Sequence, residues 1–119
     1  MAHNFLNLMI WQKSMDLTDL VFLYNKDLPA TERFNLIDQM NRSSCSIPTN
    51  IAEGSGKRTK KRFAEYLSIS LSSAYELQTQ LLICERRNYG KKEELENCLT
   101  LVVEVQKMIF SFKEKFETN

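Results

Sequence analysis

The sequence predicts an all-α fold, an up-down-up-down four-helix bundle, and three observations carry that expectation. Apolar residues recur at three- and four-residue spacing through four long segments. Only 3 glycines and 2 prolines punctuate the 119 residues, too few turns for a many-stranded sheet. The breaks that do occur, at Pro29-Ala30-Thr31, Gly54-Ser55-Gly56 and Asn88-Tyr89-Gly90, divide the chain into four segments with short connections. Residues 1–119 form one domain, long enough for a single modest core.

The first helix is expected from about Asn7 to Leu28, with Leu8, Trp11, Met15, Leu17, Leu20, Val21 and Tyr24 as its apolar stripe. Gln12, Lys13, Asp16 and Asp19 occupy the other side, and Pro29 ends the element. The second is expected from an N-cap at Thr31 or Asn35 to about Glu53, on the stripe Ile37, Met40, Ser44, Ile47 and Ile51. Pro48 lies inside it. Proline has no backbone N–H and crowds the carbonyl four residues back, so a kink is expected, with Ser43, Ser44 and Ser46 partly satisfying the freed groups. Gly54-Ser55-Gly56 is read as a glycine C-cap.

Thr59 is the expected N-cap of a third helix, about Lys60 to Arg87, with Phe63, Leu67, Leu71, Ala74, Leu77, Leu81 and Cys84 inward. Its small residues between Ser68 and Ala74 allow a neighbouring helix to come close. The fourth, about Lys92 to Lys115, turns Leu95, Cys98, Leu99, Val102, Val105, Ile109, Phe112 and Phe116 to one face. Val103 and Phe110 fall off that face. A helix apolar on more than one side usually packs on a second subunit.

Composition narrows the function classes. The net charge is +1, so any nucleic-acid role needs local clustering of cations. No segment has the length and apolarity of a signal peptide or a membrane span, and 3 widely separated cysteines (Cys45, Cys84, Cys98) read as reduced thiols of a cytoplasmic protein. Catalysis has little support. The lone histidine, His3, sits at the terminus, so no imidazole is placed to activate a nucleophile, and a Glu-x-x-His metal pair is missing. Gly54-Ser55-Gly56-Lys57 resembles the end of a phosphate loop but follows no strand, and it is read as a helix–helix turn. No catalytic residue, cofactor or metal is expected.

Two constellations remain. Lys57, Arg58, Lys60, Lys61 and Arg62 cluster where a helix begins, and helix N-terminal amides also favour anions. Between Arg33 and Arg62 there are 7 Lys/Arg against 2 acids, and Lys113 and Lys115 come to the same end in an up-down bundle. The cluster reads either as a solvated turn or as a phosphate-binding patch. With Phe63 the one aromatic interleaved, recognition would go to backbone or shape and not to stacked bases. A second basic group, Arg86, Arg87, Lys91 and Lys92, reads as helix-end solvation.

The other constellation is a polar stripe on the second helix, Gln39, Arg42, Ser46, Asn50 and Glu53, with a counterpart on the third, Glu65, Ser68, Ser72, Glu76 and Thr79; the two either face solvent or meet. Arg42, Asn50, Glu53 and Glu76, with Ser46 and Pro48, are the expected members of a hydrogen-bonded network that holds helices or subunits in register.

Three stretches carry a family resemblance: Leu8-Met9-Ile10-Trp11-Gln12-Lys13; Gln39-Met40-Asn41-Arg42 followed by Ser46-Ile47-Pro48-Thr49-Asn50-Ile51-Ala52-Glu53-Gly54; and Tyr66-Leu67-Ser68-Ile69-Ser70 followed by Glu76-Leu77-Gln78-Thr79-Gln80-Leu81. Over nearly its whole length the chain resembles the four-helix bundle proteins encoded in intervening sequences of bacterial 23S ribosomal RNA genes. It departs at Asn35-Leu36-Ile37, where Gly-Leu-Thr is common, and at Asn41, where a basic residue is common. The resemblance implies assembly into a ring-like homo-oligomer of five subunits. It also implies kinship with the accessory protein of diversity-generating retroelements, which binds nucleic acid and a reverse transcriptase. The function expected is a non-enzymatic assembly protein that binds RNA or DNA backbone through the five-cation cluster. The alternative is a protein-interaction scaffold that binds no nucleic acid.

Overall fold

The computed structural model describes residues 4–117 and is all-helical. Four α-helices, α1 (Met9–Asn25), α2 (Asp38–Ser55), α3 (Lys60–Arg86) and α4 (Lys92–Glu117), form an elongated bundle of 46 × 21 × 20 Å. Each packs on two neighbours in cyclic order: α1 on α2 and α4, α3 on α2 and α4. The α1–α2 connection and the α3–α4 turn therefore share one end. The α2–α3 turn lies at the other, with the start of α1 and the end of α4.

The inward faces follow the helical period. Leu17, Val21 and Tyr24 of α1 are fully buried with Met40, Ile47 and Ile51 of α2, Leu67, Leu77 and Leu81 of α3, and Val102, Val105 and Ile109 of α4. Each such side chain contributes about 1.5–3 kcal/mol by leaving water. The buried face of α1 is rotated from the expected stripe by part of a turn: Ile10 and Ser14 are buried, whereas Met15 is exposed. Three apolar residues in a row, Leu8-Met9-Ile10, leave the phase of that helix ambiguous to periodicity alone.

Several ends also differ from expectation. Helix α1 stops at Asn25, four residues before Pro29, and closes with turn bonds such as Lys26 N–H to Leu23 O at 3.3 Å. Neither Thr31 nor Asn35 caps α2. The chain enters it through a 3₁₀ turn (Ala30–Glu32) and a π-helical turn (Arg33–Ile37), with no side-chain cap. The Asn35 amide instead donates to Glu32 at 3.1 Å, and Tyr89 O–H donates to the other oxygen of Glu32 at 3.2 Å, tying this connection to the α3–α4 turn. The expected Thr59 cap is present: its hydroxyl accepts from Arg62 N–H at 3.1 Å.

Pro48 sits within an α2 that continues to Ser55. The carbonyl it orphans, that of Ser44, accepts instead from Thr18 Oγ1 of α1 at 3.2 Å, sharing that proton with the Ser14 carbonyl of α1 at 3.0 Å. Of the serines that the sequence offers for that task, Ser44 bonds back to Asn41 of its own helix and Ser43 donates to Gln80 of α3. The left-handed C-cap also lies elsewhere than expected. Gly56 has φ −88°, a value any residue adopts. Among the described residues positive φ occurs at Asn88 (58°) and Gly90 (74°), and the Asn88 N–H bonds Glu85 O at 3.1 Å while Tyr89 N–H bonds Cys84 O at 3.1 Å, a Schellman closure of α3.

Gly54 is still required, for another reason: a Cβ there would lie 2.7 Å from Tyr66 Cβ and 2.8 Å from Phe63 Cδ1. The α2–α3 seam closes only over a bare α-carbon. Gly54→Ala should therefore destabilise by about 1–3 kcal/mol in a denaturant titration. Gly56→Ala, whose nearest new contact is 3.7 Å, should be neutral or stabilising by under about 1 kcal/mol.

Candidate nucleic-acid interface and the polar seam beside it

The five cations of the α2–α3 turn are set by the packing beneath them. Phe63, one turn into α3, is buried under Gly54 and against Phe112 and Phe116 of α4, with ring centroids 5.7 and 5.1 Å away. That aromatic cluster anchors the start of α3. Above it Lys57 is half-buried, while Arg58, Lys60, Lys61 and Arg62 are exposed.

Tyr66, which is absent from the cluster read in the sequence, organises it. Lys57 Nζ lies 5.0 Å from the centre of its ring and Arg62 Cζ 5.7 Å. Tyr66 follows Arg62 by one helical turn, so that contact is legible from spacing. Arg62 also pairs with Glu65, and Lys115 Nζ, at the same end, lies 5.9 Å from the Phe112 ring.

The result is a cationic end of the bundle. The aromatic faces beside it, those of Tyr66 and Phe112, are covered by cations, so it suits phosphate contact better than base stacking. The other basic group is at the far end, where Lys91 pairs with Asp27 at 3.4 Å.

The polar stripes of α2 and α3 meet in part. Ser46 Oγ and Ser73 Oγ share a hydrogen bond of 2.8 Å, and Asn50 Nδ2 donates to Ser46 O at 2.8 Å and to Ser46 Oγ at 3.0 Å. Ser43 donates to Gln80 at 2.8 Å, and Ser70 to the Ile47 carbonyl at 2.8 Å. Four of these residues, Ser43, Ser70, Ser73 and Gln80, lie outside the expected network. For Ser70 and Ser73 the signal in the sequence is the small-residue run in α3, which by itself reads only as a packing surface, and Ser43 and Gln80 carry none for this seam.

The charged residues expected there are not drawn in. Arg42 is exposed and faces Asp38 of its own helix at 3.9 Å. It lines a shallow cleft of about 260 Å³ with Gln39, Glu76 and Gln80, without an ion pair to Glu76. Glu53 and Glu76 are exposed. Within one chain, then, the register is held by hydroxyls and amides, and Arg42, Glu53 and Glu76 stay at the surface. Asn41, at the position where the resemblance favours a base, accepts from the buried Asn25 at 2.8 Å and joins α2 to α1.

The cysteines are free: Cys45 is exposed, Cys84 and Cys98 are buried. Burial pushes the Cys98 thiol up to about 12, with negative charge at Glu94 and Cys84 adding to the effect. Burial likewise raises Cys84 and Tyr24, whose hydroxyl donates to the Tyr89 carbonyl at 2.6 Å. Such thiols are poor nucleophiles and poor ligands. Among the described residues no three His, Cys, Asp or Glu side chains gather to hold a metal, and His3 lies outside them. No described helix is long and apolar enough to cross a membrane.

Two measurements check this account. Asn50→Ala should cost about 0.5–1.5 kcal/mol in denaturant unfolding, since it removes the two bonds within α2 that hold Ser46, the residue that reaches Ser73 across the seam. Glu76→Ala should stay within about 0.5 kcal/mol. For pH, the unfolded chain releases the Cys98 proton near the ordinary 9.0 and the folded chain near 12. The contribution of this thiol to stability is therefore complete below pH 9 and falls as pH rises from 9 towards 12. The melting temperature should fall across that window, and less steeply in Cys98→Ala.

The family model described as 23S rRNA-intervening sequence protein matches residues 6–111. A crystal structure of a protein of unknown function from the S23 ribosomal protein family of Bacteroides thetaiotaomicron superposes with a TM-score of 0.80 at 25% identity, covering 88% of this chain and 95% of that one. No curated protein matches.

Proposed function

The chain belongs to the family of 23S rRNA-intervening sequence proteins, and from that premise we propose that it is a non-enzymatic, homo-oligomeric bundle that binds nucleic-acid backbone. The observation that carries the reading is the cationic end of the bundle: Lys57, Arg58, Lys60, Lys61 and Arg62 within six residues, fixed over Phe63 and Tyr66 at the start of α3. Their charge is concentrated in a chain of net charge +1, so attraction to phosphate is local and oriented. The resemblance adds a ring of five copies, which repeats the patch and multiplies weak contacts through effective concentration. Cations and backbone amides without open aromatic faces read phosphate spacing and helix shape, not base identity.

The exposed aromatics give the second reading, a scaffold for a protein partner such as the reverse transcriptase of the retroelement relatives. Phe34 is 89% exposed on the π-helical turn, at the end opposite the cations. Aromatic anchors of this kind dominate protein interfaces.

Titration into labelled structured RNA and duplex DNA across a salt series separates the two. Backbone binding should weaken with salt, with a log–log slope near about −4.5 on duplex DNA if five phosphates are engaged per site. A variant with Lys57, Arg58, Lys60, Lys61 and Arg62 all changed to glutamine should lose that binding while keeping its helical circular dichroism. Absence of binding at low salt would reduce the cluster to a solvated turn and leave the scaffold as the working function.

A further inference from the structure

The outer faces of α1 and α4 carry the same three-residue pattern with opposite charge. On α1, Met15 (39% exposed), Asp19 and Phe22 (47%) lie at i, i+4 and i+7, one stripe away from the core. On α4, Val103, Lys107 and Phe110 (49%) lie at the same spacing. The α4 stripe forms one wall of a groove of about 470 Å³ whose other wall includes Tyr75 of α3, itself 50% exposed. The floor, Gln106, is buried and already bonded: its amide donates to Gln78 Oε1 at 2.8 Å and to the Ala74 carbonyl at 3.3 Å. With its buried amide satisfied, the groove offers apolar contact and a single cation.

We infer that this groove receives the outer face of α1 from a second copy of the chain, with Asp19 against Lys107 between two apolar contacts. The inference rests on the homo-oligomer reading and names the surfaces that make it. In the antiparallel sense Met15 meets Phe110, Asp19 meets Lys107 and Phe22 meets Val103. Both stripes span about 10.5 Å, and their charged positions coincide to about 1.5 Å, well within the reach of a lysine. Within the chain α1 and α4 already run antiparallel, so a neighbour turned about an axis only inclined to the bundle, not perpendicular to it, keeps this sense.

The two surfaces differ, so the contact is heterologous. Repeated, it closes into a ring when the rotation returns to its start. Within one chain Lys13 meets Glu104 at 3.9 Å, which sets residue 19 level with residue 98 on α4. Pairing Asp19 with Lys107 thus offsets the neighbour by about 13 Å along its axis, so the bundles of a closed ring incline.

Light scattering on purified protein tests the proposal. Wild type should exceed the 13.9 kDa of one chain several-fold. Phe22→Glu and Phe110→Glu, both at exposed positions, should each lower the mass towards one chain without loss of helical circular dichroism. Asp19→Lys should weaken association about tenfold or more, and Asp19→Lys combined with Lys107→Asp should restore it, which a folding defect cannot imitate. If wild type is an oligomer and none of these variants changes its mass, the interface lies elsewhere and only this pairing fails. If wild type is a single chain at all concentrations, the oligomeric reading fails with it.

Discussion

The close approach of α2 and α3 is the constraint on which the rest of the structure depends. It is made by what the two helices lack: Gly54 has no side chain to hold Tyr66 and Phe63 away, and Ser43, Ser46, Ser70 and Ser73 present hydroxyls where larger groups would separate the backbones. Because Phe63 seats in that seam, α3 begins at a fixed height and orientation. The cations that follow Gly56 are displayed from a packed base. A buried hydroxyl costs free energy unless it is bonded, so each serine that permits close packing also needs a partner. The bonds to Gln80, to Ser73 and to the Ile47 carbonyl supply them. They also make any other register of α2 on α3 unfavourable.

Pro48 extends the same logic to α1. A proline in mid-helix frees one carbonyl, and the Thr18 hydroxyl of α1 meets it at 3.2 Å. The break in one helix's own bonding thereby becomes a bond between two helices. Asn25 and Asn41 join the same pair nearer the other end. The polar residues of α2 thus face both neighbours, which explains why a helix with so few large apolar residues can sit in a bundle. Its fully buried apolar side chains are Met40, Ile47 and Ile51, and hydrogen bonds set its position between them.

What is legible in the sequence is whatever depends on period. Four helices, the inward faces of α3 and α4, and the Thr59 cap follow from spacing and from one local side-chain bond, and all are present. What is not legible depends on the partner helix. Gly54 reads as a helix stop until Tyr66 and Phe63 are placed against it. Nothing in the spacing marks Thr18 until Ser44 lies beside it. Met15 falls on the expected inward stripe because Leu8, Met9 and Ile10 allow two phases, and only the choice of neighbours decides between them. In the candidate site the five cations are plain from composition, whereas the place of Tyr66 among them needs the helix phase. Charge alone suggests an Arg42–Glu76 pairing, yet charge at an exposed helix surface is weakly directive, and hydroxyls took the seam.

The distribution of surface character ties site and assembly together. Cations collect at the α2–α3 end, and exposed apolar side chains lie along the flanks, on α1 and in the α3–α4 groove. A single bundle would leave those flanks in water and offer phosphate a patch only one turn wide, in which Lys57 and Arg62 are already engaged with Tyr66 and Glu65. Such a patch alone is screened within about 8 Å at physiological ionic strength. The proposed flank-to-flank packing would remove the apolar surface from water and set the cationic ends side by side, so the event that stabilises the assembly would also build the proposed binding surface. In the proposed assembly nucleic-acid affinity would be coupled to oligomerisation: a chain that cannot associate would keep every cation and still lose most of its hold on the backbone.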